Sequence, residues 1–173
     1  MNRRPQESEA VPYYFTYINQ VRGNDVVTTL EDQIAATLPL FSSISEEASL
    51  YRYAPGKWSI REVLNHINDT ERMFAFRALW FARGFADPLP SFDQNIAVAH
   101  AGADDISWAA HVEDFRRVRG ATVSLFRNLP PEAWSRSGTA SGNPFTVRAM
   151  AYITAGHLTH HAAILREKYL KNI

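Results

Sequence analysis

The sequence contains no cysteine. Disulfides, thiolate metal ligands and a cysteine nucleophile are excluded together, so any thiol chemistry must use a thiol brought from outside. An excess of either charge is also missing. Eighteen Lys and Arg against eighteen Asp and Glu give a formal net charge of +0, which offers no basic footprint for a phosphate backbone, and nucleic acid is not an expected partner. Long apolar runs are absent as well. No window approaches the ~18 uninterrupted apolar residues of a membrane span, and the opening "MNRRPQESEAVPYYF" lacks the apolar core of a signal peptide. The expectation is a cytoplasmic protein with no membrane contact.

What is present is enough apolar material, 46% of 173 residues, for one sizeable core. Four segments repeat their apolar residues at three- and four-residue spacing, at roughly 24–44, 59–83, 106–129 and 146–170, and these read as helices. The second opens on "WSIREVL", where Ser59 and Glu62 have the spacing of a capping box. The third stops before Pro130 and Pro131, and the fourth follows the turn-rich "SGTASGNPF" with Thr146 as its cap. Between the second and third lies "GFADPLPSFDQNIAVAHAGADD", too long for a tight turn and expected to carry a short helix around Phe92–Ala99. No period-two strand pattern persists. The fold class is therefore all-α, an antiparallel four-helix bundle with a long connection between the second and third helices. Residues 1–12, polar and charged, read as a loose arm ahead of a single domain over 13–173.

Three of the six histidines fall within "GHLTHHAAILREKY". At 100° per residue, His157 and His161 lie about 20° to either side of Met150, in the middle of the apolar stripe, and His160 lies about 80° away on its flank. Two imidazoles one turn apart in a core stripe leave four ring nitrogens needing partners in a dry place. A divalent cation bound by one nitrogen of each ring would supply them; so would ordinary hydrogen bonds between satisfied core histidines. A metal would need a third ligand. His66, in "LNHINDTER" near the edge of its helix's apolar face, is the best placed, whereas His111 sits in a polar run that reads as solvated surface and His100 in the long connection. Leu158 stands where the zinc-protease motif H-E-x-x-H requires its glutamate, so that mechanism has no base there.

Together, "GKWSIREVLNHINDTERMF" and "AGHLTHHAAILREKY" resemble the DinB-like (YfiT-like) superfamily of helical bundles over most of the chain from about residue 25 onward. The resemblance implies an up-down-down-up helix arrangement and a metal triad of His66, His157 and His161, with His160 beside the last ligand but not ligating. It implies a divalent metal, typically zinc or nickel, with open positions filled by water or substrate. It implies no single activity, because members include thiol transferases using bacillithiol, glutathione or mycothiol, a mycothiol-dependent isomerase and metal-dependent hydrolases.

Three neutral histidines would leave the cation's charge uncompensated and its coordination open, the pattern of catalytic sites. Such a cation turns bound water toward hydroxide and a bound thiol toward thiolate. The first expectation is a metal-dependent enzyme that activates a low-molecular-weight thiol for transfer to a small electrophilic substrate. Hydrolysis by metal-bound water is the alternative, and a metal-stabilised binding module without chemistry is the second alternative. No catalytic side chain or thiol-binding residue can be named from the sequence. Trp58 reads as a packing anchor at the helix start; Asp69 reads either as a group orienting His66 or as solvated; Arg148 and Arg166 read as surface. The aromatic-rich "MFAFRALWFARGF", residues 73–85, exceeds the needs of one helix face, so part of it is expected to pack on a second subunit in a homodimer.

Overall fold

The computed structural model describes residues 3–171 and places six α-helices and one hairpin among them. They are α1 (Phe15–Ile18), α2 (Val26–Ser42), α3 (Ile60–Ala82), α4 (Gln94–His100), α5 (Trp108–Arg127) and α6 (Val147–Ile164), with β1 (Ser137–Ala140) and β2 (Asn143–Thr146) just before α6. Each bundle helix begins where a side chain can take up its free amides. Asp25 accepts from Val27 N and Thr28 N, Ser107 from Ala110 N and Thr146 from Ala149 N. Ser59 and Glu62 form the reciprocal capping box, and such caps contribute about 0.5–2 kcal/mol each. After Ile164 the last helix widens into a single π turn, Leu165–Tyr169.

Contacts between helices fix the topology. Asn68 on α3 reaches the His111 carbonyl on α5, while Glu71, further along α3, reaches Arg119, further along α5; the two helices therefore run parallel. Tyr152 bonds to Asn24 just before α2, and Gln33, further on, bonds to the Ala155 carbonyl and Thr159, so α2 and α6 are also parallel. Trp58 at the start of α3 meets Tyr169 at the end of α6, which sets those two antiparallel. The result is up-down-down-up. A parallel α3–α5 pair requires the chain to cross the bundle's length between them, which is what the connection over residues 83–107 does.

One hairpin departs from the all-helical expectation. Ser141 and Gly142, both at positive φ (53° and 74°), form a two-residue turn between strands too short to show an alternating pattern. Leu89 of the long connection bonds to Thr139 and Ser141, and Arg77 donates to the Pro90 carbonyl and Ser141 Oγ, so hairpin and connection are tied together.

The bundle interior is divided. One apolar cluster at the hairpin end contains Phe81, Phe126, Phe145 and Met150; another at the far end contains Phe41, Ile60, Phe115 and Leu165. Between them every bundle helix contributes polar groups: Gln33 and Thr37, then His66, Asn68, Thr70 and Glu71, then Arg119 and Thr122, then Thr154 and His157. Arg119, fully buried, donates from Nε and Nη2 to both Glu71 oxygens at 2.7 Å and from Nη1 to Gln33 Oε1 at 2.5 Å.

Three sequence expectations are corrected here. The described part of the arm, residues 3–12, is not loose. Glu9 is buried and accepts from Arg148 Nη1 at 2.8 and 2.9 Å and from the Thr146 hydroxyl at 2.8 Å, and Arg4 donates to the Val21 and Ile18 carbonyls. Arg148 is accordingly buried rather than on the surface, because its counter-ion arrives from 139 residues away. His111 is also buried, with Nε2 2.8 Å from the Ala103 carbonyl. Arg166 is exposed, as expected.

Candidate metal centre

His66 occupies the middle of α3, and His157 and His161 occupy successive turns of α6. Antiparallel packing of the two helices brings all three rings into the polar layer. His157 Nε2 lies 3.1 Å from His66 Nε2 and 3.1 Å from His161 Nε2, with one nitrogen of each ring inside a 4.8 Å group. Among the described residues no carboxylate joins them. A close approach is possible because α1 crosses here: a Cβ at Gly156 would run into the Tyr17 carbonyl, so only glycine lets α1 lie on α6 beside His157.

The surroundings keep these rings neutral. Burial pulls the His66 pKa down to about 4. Burial, then the neighbouring His66 and His160, pulls His161 to about 3. His157 is lowered well below the ordinary value by burial first, then by His161, His66, His160 and the Arg119 cation. Three neutral imidazoles whose Nε2 atoms converge offer a donor set suited to a borderline divalent cation. A tetrahedral ion with bonds of about 2.0–2.1 Å sets its nitrogens roughly 3.3 Å apart, close to the 3.1 Å separations here. The residues fit such an ion.

The partner that orients His66 is Thr70, not Asp69. Thr70 Oγ1 is 3.2 Å from His66 Nδ1, so that when Nε2 serves as a ligand Nδ1 carries the proton and donates it to Thr70. Asp69 turns outward to Asn65 and Arg72. His160 stands aside, its ring against Tyr17 and His161 and its Nδ1 3.5 Å from Gln20. His100 is exposed and bonds to its own helix. Trp58 anchors the start of α3 through its carbonyl, which accepts from Tyr169, and its ring also lies 5.0 Å from that of His66.

Sequence reasoning missed the tyrosines. Tyr13, Tyr14 and Tyr17 line a cleft with His66 and His157; Tyr17 sits edge-on to His157 at 5.4 Å, and its hydroxyl is 3.1 Å from that of Tyr13. Burial and that hydrogen bond push the Tyr17 pKa up, so it stays protonated at neutral pH. The signal was the aromatic density of "PYYFTY" next to a polar arm.

Fold and site together define an up-down-down-up helical bundle with a three-histidine cluster, two of its rings buried and the third half-buried, that could hold a divalent metal. The chain belongs to the DinB superfamily, whose sequence pattern matches residues 29–165. No curated protein matches it in sequence. Among solved structures it is similar to YfiT from Bacillus subtilis, described as a probable metal-dependent hydrolase with an unusual four-helix bundle topology. That match has 17% identity and a TM-score of 0.74, and covers 97% of this chain and 92% of that one. It is also similar to the mycothiol-dependent maleylpyruvate isomerase, at 13% identity and a TM-score of 0.67, over 84% of this chain and 61% of that one. At these identities the likeness establishes the fold. Among the described residues no helix is long and apolar enough to cross a membrane.

Proposed function

We propose that His66, His157 and His161 hold a divalent cation, zinc or nickel, and that the chain is an enzyme transferring a low-molecular-weight thiol to a small electrophile. The observation that carries this reading is the lining of the two clefts that reach the histidines: neither contains an Asp or Glu. Hydrolysis by metal-bound water is helped by a neighbouring base that relays its proton, and no carboxylate lines these clefts to do so. A thiol, already the stronger acid, needs far less help. When bound, the cation supplies the remaining acidification of the thiol.

In the transfer, the thiol gives up its proton and its sulfur lone pair forms the new C–S bond. The electron pair displaced from the electrophile leaves with the departing group, which takes up the proton. Tyr17, held protonated and lining the cleft beside His66 and His157, is placed to donate a hydrogen bond to that group as charge builds on it. Thr70 holds His66 in the tautomer that keeps Nε2 free. The cytoplasm, where small thiols are kept reduced, is the matching compartment.

Hydrolysis remains the second reading, supported by the description of YfiT. A non-catalytic site would be closed by a fourth protein ligand, and none joins the cluster among the described residues. The deciding assay offers monochlorobimane with bacillithiol, glutathione or mycothiol to metal-reconstituted protein. Fluorescent conjugate should form with at least one thiol; rates no higher than those of a His66→Ala control with all three would end the transfer reading.

We assign the homodimer contact to the groove between α3 and α5. Phe76 is 51% exposed there beside Leu79, and Arg72, Asp114 and Arg117 rim it with both charges, as a face that meets its own copy requires. A Phe76→Glu chain should sediment as a monomer where the parent is a dimer. Equal sedimentation of the two would remove the assignment.

A further inference from the structure

Two clefts reach the histidine cluster, and they share no residue. One, of about 320 Å³, touches His161 and is lined by Lys57, Trp58, Tyr53, Asn95 and Tyr169. The other, of about 110 Å³, touches His66 and His157 and is lined by the three tyrosines with Met73, Phe74 and Phe92. Adjacent residues at the start of α4 fall on different sides, Gln94 in the tyrosine cleft and Asn95 in the lysine cleft. The first turn of α4 is therefore the partition. It is held firmly, since Asp93 accepts from Asn95 N and Ile96 N, and Arg77 ties down Pro90 just upstream.

The two linings differ in charge. Lys57 stands exposed at the rim of the larger cleft and pairs with no carboxylate among the described residues, and Asn95 adds an amide beside it. A ligand carboxylate there gains a counter-ion that no protein group already occupies. No charged side chain lines the tyrosine cleft. Its walls are aromatic rings and a thioether together with neutral polar groups, the tyrosines, Thr70 and Gln94, and an ionised group entering would lose hydration without a counter-charge. Size agrees, because the larger cleft falls at the low end of small-molecule sites while the smaller admits only a small ring or short chain.

We propose that the centre has two substrate arms divided by α4: the Lys57 cleft takes a carboxylate-bearing substrate, and the tyrosine cleft takes a small uncharged one. Resting on the transfer reading above, the first is the thiol and the second its electrophile. One arrives at His161 and the other at His66 and His157, from separate entrances to the same cluster, so each can bind while the other is in place.

Calorimetric titration of the metal-loaded protein tests this with mercaptopropionate and benzyl alcohol as probes, each alone and each with the other saturating. Lys57→Glu and Phe92→Asp alter exposed positions, so the variants should fold as the parent does. The expected result is simultaneous binding, with Lys57→Glu weakening mercaptopropionate by about fivefold or more and sparing benzyl alcohol, and Phe92→Asp doing the reverse. Competition between the probes, equal effects of either variant on both, or failure of either probe to bind overturns the two arms. Propionate serves to separate the two claims. If it binds as tightly as mercaptopropionate and is still weakened by Lys57→Glu, the arms stand and the thiol is removed from the reading they rest on.

Discussion

Protein purified with His157 replaced by alanine should carry about one equivalent of metal less than the parent. His157 is the middle of the three donors: its Nε2 is 3.1 Å from each of the others, so its loss leaves His66 and His161 on different helices with no nitrogen bridging them. Loss of a group that merely orients a ligand typically costs 10–100-fold in affinity, and loss of a ligand itself should exceed about a hundredfold. Elemental analysis of both proteins after gel filtration reads this directly. Thermal melts provide an independent measure. Metal at about a thousandfold over its dissociation constant stabilises the fold by roughly 4 kcal/mol, so a chelator should lower the parent's Tm and leave that of the variant unchanged. Full retention of metal by the variant would sink the site and every mechanism built on it.

Arg119→Met should be among the most destabilising single changes in the bundle interior. The guanidinium is fully buried, bonds both oxygens of a buried Glu71, and reaches Gln33, which in turn holds the Ala155 carbonyl on α6. Its removal leaves a carboxylate stranded in the polar layer, and breaking such a pair from one side costs about 3–5 kcal/mol. For a domain of this size that corresponds to a Tm fall of roughly 6–20 °C by calorimetry. Replacing Glu71 with methionine in the same chain should recover most of the loss, because no lone charge then remains. A single variant that melts within about 2 °C of the parent contradicts the assignment, and a double variant that melts no higher than the single one shows that packing, not charge, was lost.

The two results together would explain why one layer of the bundle is polar at all. Glu71, Arg119 and Gln33 connect three helices at the level of the histidines, and the Arg119 cation is among the groups that oppose protonation of His157. Stability and a neutral nitrogen donor set thus draw on the same buried charge.

Much of this was legible in the chain itself. The segments 24–44, 59–83, 106–129 and 146–170 enclose α2, α3, α5 and α6, because helical burial is written in spacings of three and four residues and the caps Ser59 and Thr146 are local signals. Helical phase alone separated His157 and His161 from His160, and the place of His66 near the edge of its own apolar face, together with the resemblance, named it as the third. The short helix expected at Phe92–Ala99 is Gln94–His100. The hairpin escaped notice because four-residue strands show too few alternations to stand out from a turn-rich run.

What the sequence could not decide is which polar groups are buried. Nothing in the spacing around Arg148, His111 or Arg119 distinguishes them from solvated neighbours, since each is made tolerable inside by a partner supplied elsewhere: Glu9, the Ala103 carbonyl and Glu71. The tyrosine cleft, the Lys57 cleft and the turn of α4 between them likewise exist only once α1, α3, α4 and α6 are packed. Periodicity and capping act within a few residues and so determined the helices and the inward pair of histidines. The pairing of buried charges and the shape of the clefts depend on contacts between distant parts of the chain, such as Glu9 with Arg148, 139 residues apart, and these the tertiary structure alone decided.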